Sequence, residues 1–203
     1  SRDARRIELS GQRMDRITTS LQEAIMLTRM QPVGIVFNKF PRLVRDLSRK
    51  LGKTLELRIE GREVELDKTL IEAINDPLTH LVRNAIDHGI GPPDERTKAG
   101  KPPVGSLRVS ARQSGNQILI EIADDGRGID GERLVRKAIA AGVISAEQGE
   151  RLSHSQRIAL IFQAGLSTAR EVTAVSGRGV GMDVVRANIE RIGGVVDIES
   201  KLG

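Results

Sequence analysis

The chain has no cysteine, no tryptophan and no tyrosine, and only three phenylalanines in 203 residues. The missing cysteines exclude disulfides and thiolate metal sites, which suits a reducing cytosol. The shortage of aromatic side chains leaves almost no platform for stacking bases, so a nucleic-acid-binding role finds little support. No apolar run approaches the roughly eighteen residues of a membrane span and no secretory leader opens the chain, so direct membrane insertion is not expected. Clustered charge is missing too. The net charge is +5, with 32 basic residues offset by 27 acidic ones that are interspersed among them, a mild bias toward polyanionic ligands such as nucleotides. What is present is ordinary globular material, 38% apolar and 29% charged, with length enough for one core or two unequal ones.

Residues 4–30 read as one uninterrupted helix, because Met14, Ile17, Leu21, Ala24 and Thr28 recur at alternating spacings of three and four, the rhythm of a helix that packs on another helix. A lone amphipathic helix cannot bury its own stripe, so this one needs the rest of the chain or a second copy. A second helix is expected over 36–51, closed by Gly52, with Phe40, Leu43, Val44, Leu47 and Leu51 inward. The stretch "LELRIEGREVEL" (55–66) alternates around Gly61 and predicts a hairpin. Asp67 can cap the next helix, and Asp76 with Pro77 predicts a fresh start or a kinked continuation of it. Residues 89–105 hold four prolines and four glycines and read as a loop. A second hairpin is formed by "SLRVSARQ" and "QILIEIAD" around "SGN". Helical patterns follow at 131–141, near 155–163 and at 182–192, with a Gly, Ser and Thr-rich stretch at 164–181, and "VVDIES" reads as a last strand. Strands that arrive in hairpins predict an α+β fold with a largely antiparallel or mixed sheet and helices on one face.

Three islands could carry chemistry: "DPLTHLVRNAIDHG" (76–89), "DDGRGID" (124–130) and "SGRGVGMDVV" (176–185). In the first, His80, Asn84 and His88 fall at i, i+4 and i+8 on one helix face, opposite Leu78, Leu81, Val82, Ala85 and Ile86. Each island alone has a bland reading: a solvated polar face, a turn, and a glycine loop that misses the six-residue dinucleotide frame. Together they meet the needs of a purine triphosphate with its metal. Asp124, at a strand end, offers a fixed acceptor for an adenine amino group, and Gly126 and Gly128 allow close backbone approach to the ring. Gly177, Gly179 and Gly181 precede a helix N-terminus that offers N–H donors to phosphates. The Asn84 carboxamide oxygen suits magnesium, which keeps waters and leans on substrate phosphates, and His80 and His88 flank it.

In their order, "HLVRNAIDHG", "DDGRGID", "FQAGLST" and "SGRGVGMDVV" resemble the N, G1, F and G2 boxes of CheA-type chemotaxis histidine kinases, within the wider histidine kinase, gyrase and Hsp90-like ATPase superfamily. The His80 position, where ordinary sensor kinases have glutamate, and the "DHG" ending resemble the chemotaxis branch. The resemblance runs from about residue 30 to the C-terminus. It implies a two-layer α/β sandwich of the Bergerat ATP-binding type, preceded by a long amphipathic helix. It divides the chain into a partial dimerisation helix (1–31) and an ATP-binding catalytic domain (32–203) shortened at its C-terminal end. It implies ATP and Mg2+ as cofactors, with magnesium on Asn84 and His80 and catalytic roles for His80, Asn84 and His88. The nucleotide would be lined by Asp87, Asp124, Gly126, Gly128, Ile129, Phe162, Ser167, Thr168, Gly177, Arg178, Gly179, Val180, Gly181 and Met182, with a lid from Phe162 to about 176. The implied activity is γ-phosphoryl transfer to a histidine on a separate phosphoacceptor domain, in a cytoplasmic homodimer joined through the N-terminal helix. Receptor or coupling proteins and a response regulator would be served by modules outside this sequence. The competing readings are a non-catalytic dimerisation scaffold that has kept the fold and another ATPase of the same superfamily; a nucleic-acid module comes third, for want of aromatics.

Overall fold

The computed structural model describes residues 13–22, 24, 28–166 and 181–203. Residues 13–22 are helical (α1), and their apolar stripe lies on the surface, with Met14, Ile17 and Leu21 at 72%, 60% and 58% exposure. Residues 24, 28 and 29 are helical too, so the helical stretch ends one residue short of the expected residue 30. Met30–Pro32 (β1) is a short strand that pairs antiparallel with Glu65–Asp67 (β3), Gln31 opposite Leu66. Pro32 explains the early end, since a residue before proline is pushed out of the helical region. The helix expected over 36–51 is two, Gly34–Phe37 (α2) and Phe40–Leu51 (α3). Pro41 marks the second start, where its missing N–H is harmless, and Gly52 closes α3 in the left-handed region.

The main sheet is mixed. Leu55–Glu60 (β2) pairs parallel with Gly105–Ser114 (β4), and β4 pairs antiparallel with Gln117–Asp124 (β5), giving the order β2-β4-β5. The second expected hairpin is β4–β5, turned through Gly115 and Asn116 between the pair Ser114 and Gln117. The first is a correction: β2 and β3 do not pair. Alternation specifies an extended chain with one buried face and leaves the partner open, and β2 finds its partner in β4, whose Leu107 and Val109 lie opposite Leu57 and Ile59. At Gly61 (φ 72°) the chain leaves the sheet so close to the Ala111 carbonyl that a side chain would collide with it.

Between β3 and β4 the chain crosses through Lys68–Asn84 (α4), which continues into a π-helical turn at Ala85–Gly89. Asp67 caps α4, its side chain accepting from Thr69 N at 2.8 Å. The helix runs on through Pro77, which is buried within it, and Asp76 starts no new one. The loop at 89–105 contains a short helix, Pro93–Lys98 (α5). Ile71, Ile74, Leu78, Val82 and Ile86 of α4 and its π turn join Phe37, Phe40 and Val44 in one core against the inner faces of β2, β4 and β5. Met182–Arg191 (α9) lies on α4, with Ile189 against the same core.

Three short helices make a second, smaller cluster: Gly131–Ala140 (α6), Ala146–Arg151 (α7) and His154–Ala159 (α8), the last followed by a 3-10 turn at Leu160–Phe162. Leu134, Val135, Ala138, Leu160 and Leu166 fill it. The last expected strand is also a correction. Residues 195–200 alternate between exposed and half-buried as a strand would, yet they form no ladder among the described residues; Ser200 instead accepts from Ile129 N through its Oγ and meets His154 Nε2 through its carbonyl. The architecture is the expected α+β one: a mixed sheet backed by helices, with a helix ahead of it.

Candidate active site

The burial stripe of α4 fixes what its other face can offer. With Ile74, Leu78 and Val82 in the core, His80 and Asn84 lie half-buried on the far side. After Asn84 the helix widens to an i→i+5 turn, Ile90 N donating to Ala85 O at 2.8 Å, a local expansion frequent at functional sites. The turn resets the spacing: His88 is exposed, and its carbonyl accepts from Arg127 Nε at 2.8 Å. Lys53 holds the turn from behind, its ammonium donating to Ile86 O at 2.5 Å and Asp87 O at 2.9 Å. Burial lowers the Lys53 pKa, with the nearby Asp87 charge opposing the shift. Burial likewise lowers the pKa of His80, assisted by Arg83 and opposed by Asp87, so at neutral pH its imidazole is neutral and one ring nitrogen can accept or ligate.

Asp124 closes β5 opposite Leu107. Its Oδ1 accepts from Gly126 N at 2.8 Å, which fixes the carboxylate within the turn. The residue opens to solvent on one side, yet its surroundings desolvate it enough to raise its pKa, against the Gly126 N–H and the more distant Lys101 and Arg96 charges. A side chain at Gly126 would collide with the Gly89 carbonyl, and one at Gly89 would come within 2.9 Å of Asp124 Oδ1. Arg127 N donates to that same Gly89 carbonyl at 2.9 Å. The π turn and the Asp-Gly turn are therefore stitched together by backbone. Gly128 (φ 73°) leaves no room for a Cβ beside the Lys201 carbonyl, and Ile129 N donates to Ser200 Oγ at 2.9 Å. These two face the C-terminal segment.

The third island reaches the first through α9. Met182, its first residue, is buried, and its thioether sulfur accepts from Asn84 Nδ2 at 3.4 Å, a contact between residues 98 apart in the chain. Gly181 is buried just ahead of it. Phe162 is buried beside α9, with the Arg186 guanidinium 5.5 Å from its ring centre. The structure thus joins Asn84, Asp87 and Gly89 with Asp124 and Gly126 on one side and Met182 on the other. Ser167, Thr168, Gly177, Arg178, Gly179 and Val180 lie outside the described residues.

Sequence reasoning missed three cations around this site: Lys53, Lys101 and Arg96. Lys101 Nζ donates to Asp125 O at 3.1 Å and Gly126 O at 2.5 Å. Arg96, on α5, is the buried charged residue of the described core at 3% exposure. The signal for α5 was present in "PPDERTK", prolines first, acids in the first turn and bases in the last.

A metal here would need more than the protein. Among the described residues no group of three or more His, Asp or Glu side chains could hold one. The carboxamide oxygen of Asn84 is a sparse donor set, which fits a hard cation that takes most of its ligands from phosphates and water; the imidazole nitrogen of His80 is a softer donor than such a cation prefers and suits a bound water or a phosphate oxygen better.

The sequence profile of the family described as histidine kinase-, DNA gyrase B-, and HSP90-like ATPase matches residues 71–203. The chain belongs to that ATPase family. Among curated proteins it is 57% identical over 92% of its length to the sensor histidine kinase CheAY of Helicobacter pylori. It is 52% identical over 94% of its length to the chemotaxis protein CheA of Salmonella typhimurium, and 47% identical over 95% to that of Bacillus subtilis. The chain spans 23%, 28% and 29% of those three relatives' own lengths. Within the ATPase family, then, its likeness is to the chemotaxis kinases, and the match includes all three islands. No described helix is long and apolar enough to cross a membrane.

Proposed function

We propose that this chain is the ATP-binding catalytic portion, residues 32–203, of a chemotaxis-type protein-histidine kinase, preceded by part of a dimerisation helix. The observation that carries the reading is Asp124, held at a strand end by Gly126 N and walled by two glycines whose places no side chain could take. That is a rigid acceptor with an open side, matched to an exocyclic amino group. Asp124 accepts from adenine, Gly126 shapes the ring's bed, and Asp87, Phe162, Gly181 and Met182 bound the remainder, while Gly128 and Ile129, which face the C-terminal segment, join the lining by position in the family's boxes alone. Ser167, Thr168, Gly177, Arg178, Gly179 and Val180 complete the phosphate side by position in the family's boxes.

Asn84 would hold magnesium, which when bound supplies charge neutralisation at the phosphates. The chain's own residues position. His80 presents its neutral imidazole and His88 a ring N–H to the triphosphate, and the Asn84–Met182 contact ties the helix of the first island to that of the third. No strong base is required, because the acceptor is itself an imidazole with a free nitrogen lone pair. Its nitrogen forms the new P–N bond as the bond from the γ-phosphorus to the bridging oxygen breaks and ADP leaves, so catalysis is positioning and electrostatics.

By likeness to the chemotaxis kinases, the acceptor is a histidine on a separate domain. The exposed Met14, Ile17 and Leu21 stripe pairs with a second copy, and coupling proteins and a response regulator act through other modules in the cytoplasm. The test is transfer of the γ-phosphoryl group from labelled ATP to a supplied phosphoacceptor domain from a chemotaxis kinase. Acid-labile, base-stable label on that domain is expected, abolished by Asn84→Ala. Phosphate release to water with none on the acceptor would favour a different ATPase.

A further inference from the structure

Arg96 uses its whole guanidinium, and none of it reaches the candidate site. Nε donates to Pro102 O at 2.7 Å; Nη1 donates to Asp125 O and Asp125 Oδ1, both at 3.1 Å; Nη2 donates to Val104 O at 3.4 Å and Asp125 Oδ2 at 2.8 Å. Five N–H donors thus meet five acceptors, the full capacity of the group. Its side chain is 2% exposed. A guanidinium is costly to bury unless paired and fully hydrogen-bonded; Asp125 supplies the charge partner and three of the five acceptors, and the Pro102 and Val104 carbonyls complete the set.

Asp125 is the neighbour of Asp124, and it is pinned at every polar atom. Its N–H donates to Ser106 O at 3.2 Å, its carbonyl accepts from Arg96 and Lys101, and Oδ1 also accepts from Ser106 N at 2.8 Å. Burial opposes ionisation of its carboxyl, but the Ser106 N–H and the Arg96 guanidinium outweigh burial and hold its pKa below the ordinary value. Asp124 is therefore fixed from both directions. The sheet register sets it on the N-terminal side, through Leu107. The clamp sets it on the C-terminal side, with Gly126 carrying the hydrogen bond to Asp124 Oδ1 and its own carbonyl held by Lys101.

We propose that Arg96, acting through Asp125, is a positioning residue that sets the affinity of the Asp124 site for adenine and its preference for adenine over guanine; this rests on the nucleotide reading of that site. Adenine offers an amino donor where guanine offers a carbonyl oxygen. A carboxylate held in place rewards the first and repels the second, and a carboxylate free to swing does neither well. The fork geometry matters because only a planar, two-pronged cation can grip both Asp125 oxygens and three carbonyls at once.

The test compares the intact chain with Arg96→Lys and Asp125→Asn, titrated with Mg-ATP, Mg-GTP and Mg-triphosphate, alongside ligand-free thermal unfolding. In variants that fold, we expect ATP affinity to fall about tenfold or more, as for other outer-shell supports. The ATP-to-GTP preference should narrow while triphosphate affinity holds. The double variant should lose no more than the worse single one, since both residues act as one unit. Should Arg96→Lys fail to fold, Asp125→Asn reads the same selectivity. Unchanged ATP affinity and selectivity in a folded variant would overturn the proposal, as would equal losses for ATP, GTP and triphosphate, which mark general support of the fold. A wild-type chain that binds none of the three would instead overturn the nucleotide reading itself.

Discussion

The two apolar clusters of this chain differ in what they are made of and therefore in what they can hold still. The larger one joins α3, α4 and α9 to three strands, so its contacts close over long stretches of chain. Among the described residues the smaller one draws on 129–166, from three short helices, a 3-10 turn and the segments between them. Asn84 and Asp124 are rooted in the first, one by the buried stripe of α4 and the other by the ladder of β5. Phe162 stands at the border of the second. The comparison teaches that Asn84 and Asp124, to which the proposed metal and base contacts fall, are set by the global fold, whereas Phe162 borders a local unit, the kind that opens separately from a global core.

The sharpest way to break the contrast is to hollow each cluster in turn. Phe40 is fully buried and packs 5.8 Å, centre to centre, from Phe37. Phe40→Ala should cost about 3–5 kcal/mol, as buried aromatic truncations do, and urea unfolding should show a single transition at a lower midpoint, with hydrogen exchange faster throughout. Leu160→Ala in the smaller cluster should cost about 2 kcal/mol. Its amide exchange should rise across 131–166 and leave β4, β5 and α4 protected. Faster exchange throughout in both variants would mean one cooperative core.

A smaller effect separates the site from the cores. His80 has its pKa lowered below 6.5, so the folded chain binds that proton less well than the unfolded chain. Its share of stability is then complete above the ordinary value and is lost as pH falls through it, ending below the folded value. Unfolding free energy followed from pH 8 to 5 should decline on the acid side, and His80→Gln should flatten that limb. The smallest effect belongs to the surface. Glu147 and Arg151 form an i,i+4 pair at 2.5 Å with both side chains exposed, and Glu147→Ala should change stability by no more than about 0.5 kcal/mol.

Much of the larger core was legible because its elements are periodic and long. The stripe of α4, the alternation of β4 and β5 and the helices at 131–140 and 182–191 follow from spacing and caps. What failed was pairing. β2 has the same alternation whether its neighbour is β3 or β4, and the choice was made by a partner some fifty residues later. The 195–200 segment shows alternation without a ladder for the same reason. Of the short helices, α8 lies where a helix was expected near 155–163, but α5 and α7 escaped because one or two turns carry too little period; Ser145 with Gln148 is a capping box that marked α7 more clearly than its apolar residues did. In the site, Asn84 and Asp124 were readable because their chemistry is in the side chain. Arg96, Lys101 and Lys53 were not, because they act on backbone carbonyls and, for Arg96, on the Asp125 carboxylate as well, partners that only the fold brings to them.

The central claim, that Asp124 is the anchor of a Mg-ATP site, is tested most directly by thermal unfolding of the chain and of Asp124→Asn, each with and without Mg-ATP. A ligand at a hundred times its dissociation constant should stabilise the wild type by about 2.7 kcal/mol. Because the raised pKa of Asp124 means that its charged form is disfavoured by folding, stability present below the ordinary carboxyl value is lost as pH rises through the folded one. The ligand-free variant at neutral pH should therefore unfold at the same temperature or higher, and Mg-ATP should no longer shift it. An equal Mg-ATP shift in both proteins, or none in the wild type, would contradict the account.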